Sequence, residues 1–177
     1  MRKNTSSLVV PTLRRAMPLA KPALDPFDRG ILAALVEDAR ATNVEIAEKV
    51  GLSEAPCSRR IRRLEADKII RGYSAVLEPD ALGIGLSAFV TLVLENFTAE
   101  TSEDFIKQLH DMPEVLSCHI VSGGFDAVLH VVAADARAYS EFVLDRLRLI
   151  PGVKDVRSSF VMRTLKQSRG LPFPPPE

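Results

Sequence analysis

The sequence predicts an α+β chain in two parts, an N-terminal winged helix-turn-helix domain followed by a C-terminal βαββαβ domain. Two observations carry that expectation. The first part combines helical periodicity with two helix-start signals and a small-residue corner, and from Leu86 the apolar pattern changes to strand-length runs alternating with amphipathic stretches. A length of 177 residues is enough for one ample core or two small ones.

Residues 1–23 hold Arg2, Lys3, Arg14, Arg15 and Lys21 without an acidic side chain, and the run Leu8-Val9-Val10 is too short for a signal-peptide core. A disordered basic arm is therefore expected there. Pro22, Pro26 and Asp28 mark the onset of order, with Asp25 or Asp28 capping a first helix whose stripe is Phe27, Ile31, Leu32, Leu35 and Val36.

Thr42 and Glu45, three positions apart, form a capping box for a second helix that buries Ile46, Ala47 and Val50. Ala47 permits close approach of two helices and Gly51 tolerates positive φ, which together make a tight corner with Leu52 beneath it. Ser53 is a natural N-cap for a third helix, and Pro56 falls in its first turn, where a missing N–H is tolerated. At 100° per residue the buried edge of that helix is Cys57, Ile61 and Leu64. The opposite edge carries Ala55, Arg59, Arg62 and Arg63, flanked by Ser58 and Arg60.

Such a cationic ridge fits a helix lying in a DNA major groove. Ala55, Ser58 and Arg59 would lie near base edges and Arg60, Arg62 and Arg63 nearer phosphates, with Ser53 also counted among the DNA-binding residues. The competing reading is a solvated basic face on an ordinary helical hairpin. The capping box, the Ala-Gly spacing, the second cap and the arginines in one register favour DNA.

Residues 68–77, β-branched and interrupted by Gly72, predict either a short two-stranded wing or an extended arm. Glu78-Pro79-Asp80 and Gly83-Ile84-Gly85 then break the pattern. The expected division is a basic arm over 1–23, a helix-turn-helix DNA-binding domain over 24–73, a linker strand and hinge over 74–85, a sheet domain over 86–166 and a proline-rich tail over 167–177.

Within the sheet domain, strands are expected over 86–94, 115–122, 127–133 and 153–165, and helices over 98–112 and 137–150. The β-α-β-β-α-β order is the ferredoxin-like arrangement, an antiparallel sheet with both helices on one side. The first strand is apolar on both alternations, Phe89 and Val93 against Val90 and Leu92, which predicts that a second copy covers the other face. The alternative is a monomer whose arm folds back over it.

Bulk properties narrow the function classes. Lys plus Arg number 23 and Asp plus Glu 23, so DNA affinity has to come from local charge. Cys57 and Cys118 lie far apart, which argues against a disulfide framework and for a reducing, cytoplasmic setting. No apolar run has membrane-spanning length. His110, His119 and His130 are the only histidines, and adjacent strand residues such as Cys118 and His119 point to opposite faces, so no metal site is assigned. No nucleophile-base spacing or phosphate loop is present, so no catalytic residue and no cofactor are assigned.

With both halves in view, the sequence resembles the leucine-responsive regulator/AsnC (Lrp/AsnC) family of bacterial and archaeal transcription regulators. The likeness runs roughly over residues 24–172. It is carried by Leu24-Asp25 with Asp28 and Ile31-Leu32, the Ala47 to Gly51-Leu52-Ser53 corner, Arg60-Ile61 with Leu64-Glu65, and Ile70 with Gly72-Tyr73. In the second half it rests on Gly83, Ser122-Gly123 with Phe125-Asp126, Pro151-Gly152-Val153 and Ser158-Ser159-Phe160-Val161. The resemblance implies a DNA-binding regulator that dimerises, often assembles into tetramers or octamers of dimers, and responds to a small molecule, usually an amino acid. By matched position the effector pocket, between dimers, would be bordered by Ile120, Gly123 and Asp126 from a hairpin and by Ser159, Phe160 and Val161 from the last strand. Asp126 would pair with an α-ammonium group, or, on the competing reading, Gly123 and Asp126 simply make the turn. Three departures are visible: Gly124 where many relatives are acidic, Ala127 where many are aromatic, and Lys68 where glycine is usual. Two rival classes follow from the same fold, a tetrapyrrole decarboxylase and a stand-alone small-molecule sensor.

Overall fold

The computed structural model describes residues 23–95, 99–167 and 171. The basic arm and most of the proline-rich tail lie outside the described residues. Two compact units are present, a helical one ending at Leu77 and a sheet-bearing one running from Glu78 to Thr164.

The helical unit consists of α1 (Pro26–Glu37), α2 (Asn43–Val50) and α3 (Glu54–Ala66). Asp25 and Asp28 do not compete for the first cap but share it. The Asp28 N–H donates to Asp25 Oδ1 at 2.9 Å and the Asp25 N–H donates back to Asp28 Oδ2 at 3.2 Å. Thr42 and Glu45 repeat the arrangement at α2, satisfying orphan amides of the first turn. Gly51 takes the left-handed conformation at φ 74°, and the Leu52 N–H closes on the Ala47 carbonyl at 2.9 Å. Ser53 holds the N-cap position of α3 by its backbone, although its side chain makes no capping hydrogen bond. The core joins Ile31, Leu32, Ala34, Ile46, Ala47, Cys57, Ile61 and Leu64, all buried.

Past α3 the chain turns through Lys68, whose φ of 56° makes it the only non-glycine in the left-handed region among the described residues. The turn lets the Ile69 and Ile70 N–H groups reach the Leu64 carbonyl at 2.9 and 3.1 Å and brings both side chains back onto the core. Residues 71–80 are exposed, and none belongs to a strand. The expected wing is thus absent, and the segment is an extended arm. A strand there would need a pairing partner, and none of the described residues supplies one.

The sheet unit contains β1 (Leu86–Leu94), α4 (Ala99–His110), β2 (Val115–Ile120), β3 (Ala127–Ala133), α5 (Ala136–Asp145) and β4 (Val153–Phe160). The strands lie in the order β2-β3-β1-β4 with every neighbouring pair antiparallel. This is the ferredoxin-like arrangement. Ala88, Val90, Leu92 and Leu94 of β1 and Ala127, Leu129, Val131 and Ala133 of β3 pack with Phe105, Leu109, Met112, Tyr139, Phe142, Leu147 and Ile150. The alternate residues form the other face, where Phe89 is 48% exposed.

The two largest boundary differences from expectation fall at β4 and α5. β4 stops at Phe160, opposite Ala88, because β1 begins two residues beyond it; the Val161 N–H makes the last bond, to the Ser87 carbonyl at 2.9 Å. The expected helix over 137–150 divides at Arg146 into α5 and a short 3-10 turn, Leu147–Leu149, that buries Leu147.

A left-handed lysine is strained relative to glycine. Lys68→Gly should therefore raise the stability of the helical unit by about 0.5–1 kcal/mol in denaturant titration, and Lys68→Val should lower it by a similar amount. A stability loss with glycine would contradict the strain.

Candidate DNA interface and effector surface

Cys57, Ile61 and Leu64 turn one edge of α3 into the core. Burial pushes the Cys57 thiol up, so it remains protonated and serves as a small apolar side chain. Rotation around the helix then leaves Ser53, Ala55, Arg59 and Arg62 exposed and Ser58 half-buried. These residues share the outward side of α3.

Arg60 and Arg63 do not join that surface as the periodicity suggested. Arg60 Nη1 donates to Asp25 Oδ2 at 2.6 Å and to Asp28 Oδ1 at 2.9 Å, and its guanidinium lies over the Phe27 ring, 5.4 Å from the centroid. Arg63 Nη2 donates to Asp28 Oδ2. Asp28 is 1% exposed, and its two carboxylate oxygens accept from both arginines and from the Asp25 amide. The anticipated four-arginine ridge divides into an outward pair, Arg59 and Arg62, and a pair turned toward the start of α1.

The physical reason is the cost of burying a charge. Asp28 stands on the same helical stripe as Ile31, Leu32 and Leu35, and a buried carboxylate there requires cationic donors on its oxygens. That requirement was readable from the sequence, since an Asp three residues ahead of an apolar stripe asks for a partner. The periodicity of α3 alone did not register it. The Asp25 carboxyl is held below its ordinary value of 3.8 mainly by the Asp28 N–H and further by Arg60 beside it. The hydrogen bonds to Asp28 and Asp25 raise Arg60 in turn. Another contact missed from sequence is Tyr73, whose hydroxyl donates to Glu65 Oε1 at 2.9 Å and ties the arm back to α3.

On the sheet unit, Ile120 ends β2 half-exposed, and Gly123 sits in the following turn at φ 146°. Asp126 closes that hairpin. Its N–H donates to the Leu92 carbonyl at 2.8 Å, its carbonyl accepts from Val121 at 3.0 Å, and its Oδ2 accepts from the Leu94 N–H at 2.7 Å. The turn-forming role read as the competing explanation is thus a real one. Ser159 and Phe160 are exposed at the far end of β4, where Phe160 meets Tyr139 edge-on at 5.1 Å and the Tyr139 hydroxyl donates to Ser158 Oγ.

The two groups are not brought together within one chain. Ala127, next to Asp126, pairs with Leu92, whereas Phe160 pairs with Ala88, so the groups are offset by roughly 13 Å along β1 and lie toward opposite edges of the sheet. Between them, on the exposed face, His130 stacks on Phe89 at 4.9 Å and its Nε2 is 2.8 Å from Ser87 Oγ. Cys118 is pushed up to about 11 by burial. Among the described residues no group of three or more His, Cys, Asp or Glu is placed to hold a metal ion, and no helix is long and apolar enough to cross a membrane.

A capped helical corner with an outward basic helix, joined to a separate ferredoxin-like unit, defines the class of helix-turn-helix regulators with a sensing domain. Comparison with known proteins makes the assignment specific. Residues 24–65 match the AsnC-type helix-turn-helix domain and residues 87–171 match the Lrp/AsnC ligand binding domain. The chain is similar to the leucine-responsive regulatory proteins of Klebsiella pneumoniae and Escherichia coli K12, 40% identical over 148 residues, which span 84% of this chain and 90% of each relative. Among solved structures, a transcriptional regulator of Neisseria meningitidis in complex with L-methionine superimposes with a TM-score of 0.80 at 42% identity, covering 84% of this chain and 96% of that one. The feast or famine regulatory protein of M. tuberculosis, complexed with L-methionine, gives 0.77 at 36% identity, covering 86% and 100%. The chain belongs to the Lrp/AsnC family of transcriptional regulators.

Because the Asp25 carboxyl is held low, its contribution is fully present above 3.8 and is lost as pH falls through its lower folded value. Lowering the pH from about 5 to about 3 should reduce the melting temperature of the helical unit, and Asp25→Asn should flatten part of that slope while lowering stability near neutrality. A melting profile indifferent to that substitution would contradict the ion pair.

Proposed function

We propose that the chain regulates transcription as a two-fold pair, placing two α3 helices in successive major grooves about 34 Å apart. On this reading Ser53, Ala55, Ser58 and Arg59 approach base edges, while Arg59 and Arg62 supply the phosphate contacts that dominate affinity. The observation that carries it is the division of α3: the apolar edge is buried, Arg60 and Arg63 are tied to Asp28, and Arg59 and Arg62 stand exposed without such a tie beside small polar side chains. The pair would form through the sheet face that bears Phe89, Val128, His130 and Val132, a partly apolar surface that α4 and α5 leave uncovered.

The effector proposed is a small molecule, an amino acid, in line with the L-methionine bound by the N. meningitidis and M. tuberculosis proteins. Since Ile120, Gly123 and Asp126 lie far from Ser159, Phe160 and Val161 within one chain, a ligand touching both groups would sit where two copies meet. Such a ligand shifts assembly only by binding one association state better than another. Asp126 would receive the α-ammonium while retaining its bond to Leu94. Gly124 brings no charge, and Ala127, fully buried, offers no ring to stack on, so recognition would rest on fewer groups than in many relatives. The output is altered occupancy or wrapping of DNA, and no chemistry is assigned.

Duplexes selected from random DNA provide the test. Arg59→Ala and Arg62→Ala should each weaken binding and reduce the slope of log affinity against log salt by about 1, with thermal melting unchanged. Unaltered affinity in both variants would refute the DNA reading. In the same assay a panel of amino acids should contain at least one that shifts the size of the protein–DNA complex, and a panel without effect would remove the effector proposal.

A further inference from the structure

We infer that Asp28 is a specificity-determining residue that acts from behind α3, withholding Arg60 and Arg63 from duplex phosphates. This rests on the DNA-binding reading above. Sequence-independent affinity grows with the number of phosphates a protein neutralises, each adding about 0.9 to the salt slope on duplex DNA. Such contacts attract every sequence alike. A recognition helix with four mobile arginines would therefore gain affinity everywhere and discriminate less.

The geometry removes two of the four. Asp28 is 1% exposed, its Oδ1 accepts from Arg60 and its Oδ2 from Arg63, so both arginines share a carboxylate that has lost its water. Arg60 is further held by Asp25 at 2.6 Å and by the face of Phe27, and its side chain is only 26% exposed. Arg63 is 48% exposed, so solvent reaches it, but moving it to a phosphate would exchange a desolvated partner for a hydrated one and leave Asp28 undercompensated. Arg59 and Arg62 have no such tie in the described contacts and are exposed. Anchoring two side chains of α3 to the start of α1 also fixes the rotation of the helix, which keeps Ala55, Ser58 and Arg59 in one register toward the bases.

Asp28→Asn tests the charge with little change of shape. An asparagine oxygen still accepts the Asp25 amide, and the Asp28 N–H still donates to Asp25 Oδ1, so the α1 cap persists. With the full chain, binding to a mixed-sequence duplex and to a selected duplex is measured across a salt series. Asp28→Asn should steepen the slope on mixed-sequence DNA by about 1–2, tighten that binding by roughly three- to tenfold at low salt, and shrink the preference for the selected duplex. Arg63→Gln in the original background should leave the slope unchanged, and in the Asp28→Asn background should return it by about 1.

A slope that stays level or becomes shallower in Asp28→Asn overturns the inference. So does a drop of about 1 for Arg63→Gln alone, since Arg63 would then already lie on a phosphate. Where melting shows that Asp28→Asn does not fold, Arg60→Gln and Arg63→Gln decide by the same criterion. If Arg59→Ala still flattens the slope while these outcomes fail, the DNA reading survives and only the role of Asp28 falls. If the unmodified chain binds no duplex, both fall together.

Discussion

The carboxylate of Asp28 is the constraint on which the helical unit depends. It is a charge placed among apolar neighbours, and a buried charge is tolerated only with partners on its oxygens. The chain meets that demand with the Asp25 amide, supplied by the cap of its own helix, and with two guanidinium groups from α3. Removing one partner from such a cluster is typically destabilising by about 3–5 kcal/mol, whereas well-packed apolar replacements of the whole group are often neutral. The cluster therefore adds directional definition more than bulk stability. In a unit whose core is small, three directional bonds fix how α3 is rotated against α1 in a way that interchangeable aliphatic contacts do not.

In the sheet unit the governing constraint is the period of two along β1 and β3. One alternation, Val90 and Leu92 with Leu129 and Val131, is consumed by α4 and α5. The other brings Phe89 opposite His130, where the rings stack and Ser87 bonds the imidazole. An exposed aromatic pair at the centre of a sheet is an expensive surface for an isolated chain. That surface is the physical ground for the proposed pairing.

Features that depend on neighbours in sequence were readable in advance. The capping box at Thr42–Glu45, the left-handed Gly51 and the bounds of β1 and β3 all follow from residues within a few positions of one another, and at the first helix the sequence offered Asp25 or Asp28 as the cap where the two share it. Features that depend on remote partners were not. Residues 71–77 carry strand-forming side chains and still make no strand, because β-propensity expresses itself only against a partner. β4 ends where β1 begins, a limit set more than 70 positions away in the chain. The arginines of α3 were assigned by helical angle alone, and angle places a side chain without saying which acid lies above it. Asp28 is separated from Arg60 by 32 residues, and only the packing of α1 on α3 converts a predicted phosphate contact into an internal one.

The same partition bears on how a chain with zero formal net charge holds DNA at all. With no global field to steer it and half of its helix-borne arginines engaged internally, one α3 has little sequence-independent attraction to offer. On the proposed pairing, joining two such helices would make the second contact intramolecular, so that the pair would bind through effective concentration and not through added charge. Affinity obtained in that way depends on assembly, and assembly is what a ligand between copies can bias. On that proposal low intrinsic charge and dependence on pairing would be two sides of one design: the weaker each helix is alone, the more fully occupancy would follow the association state.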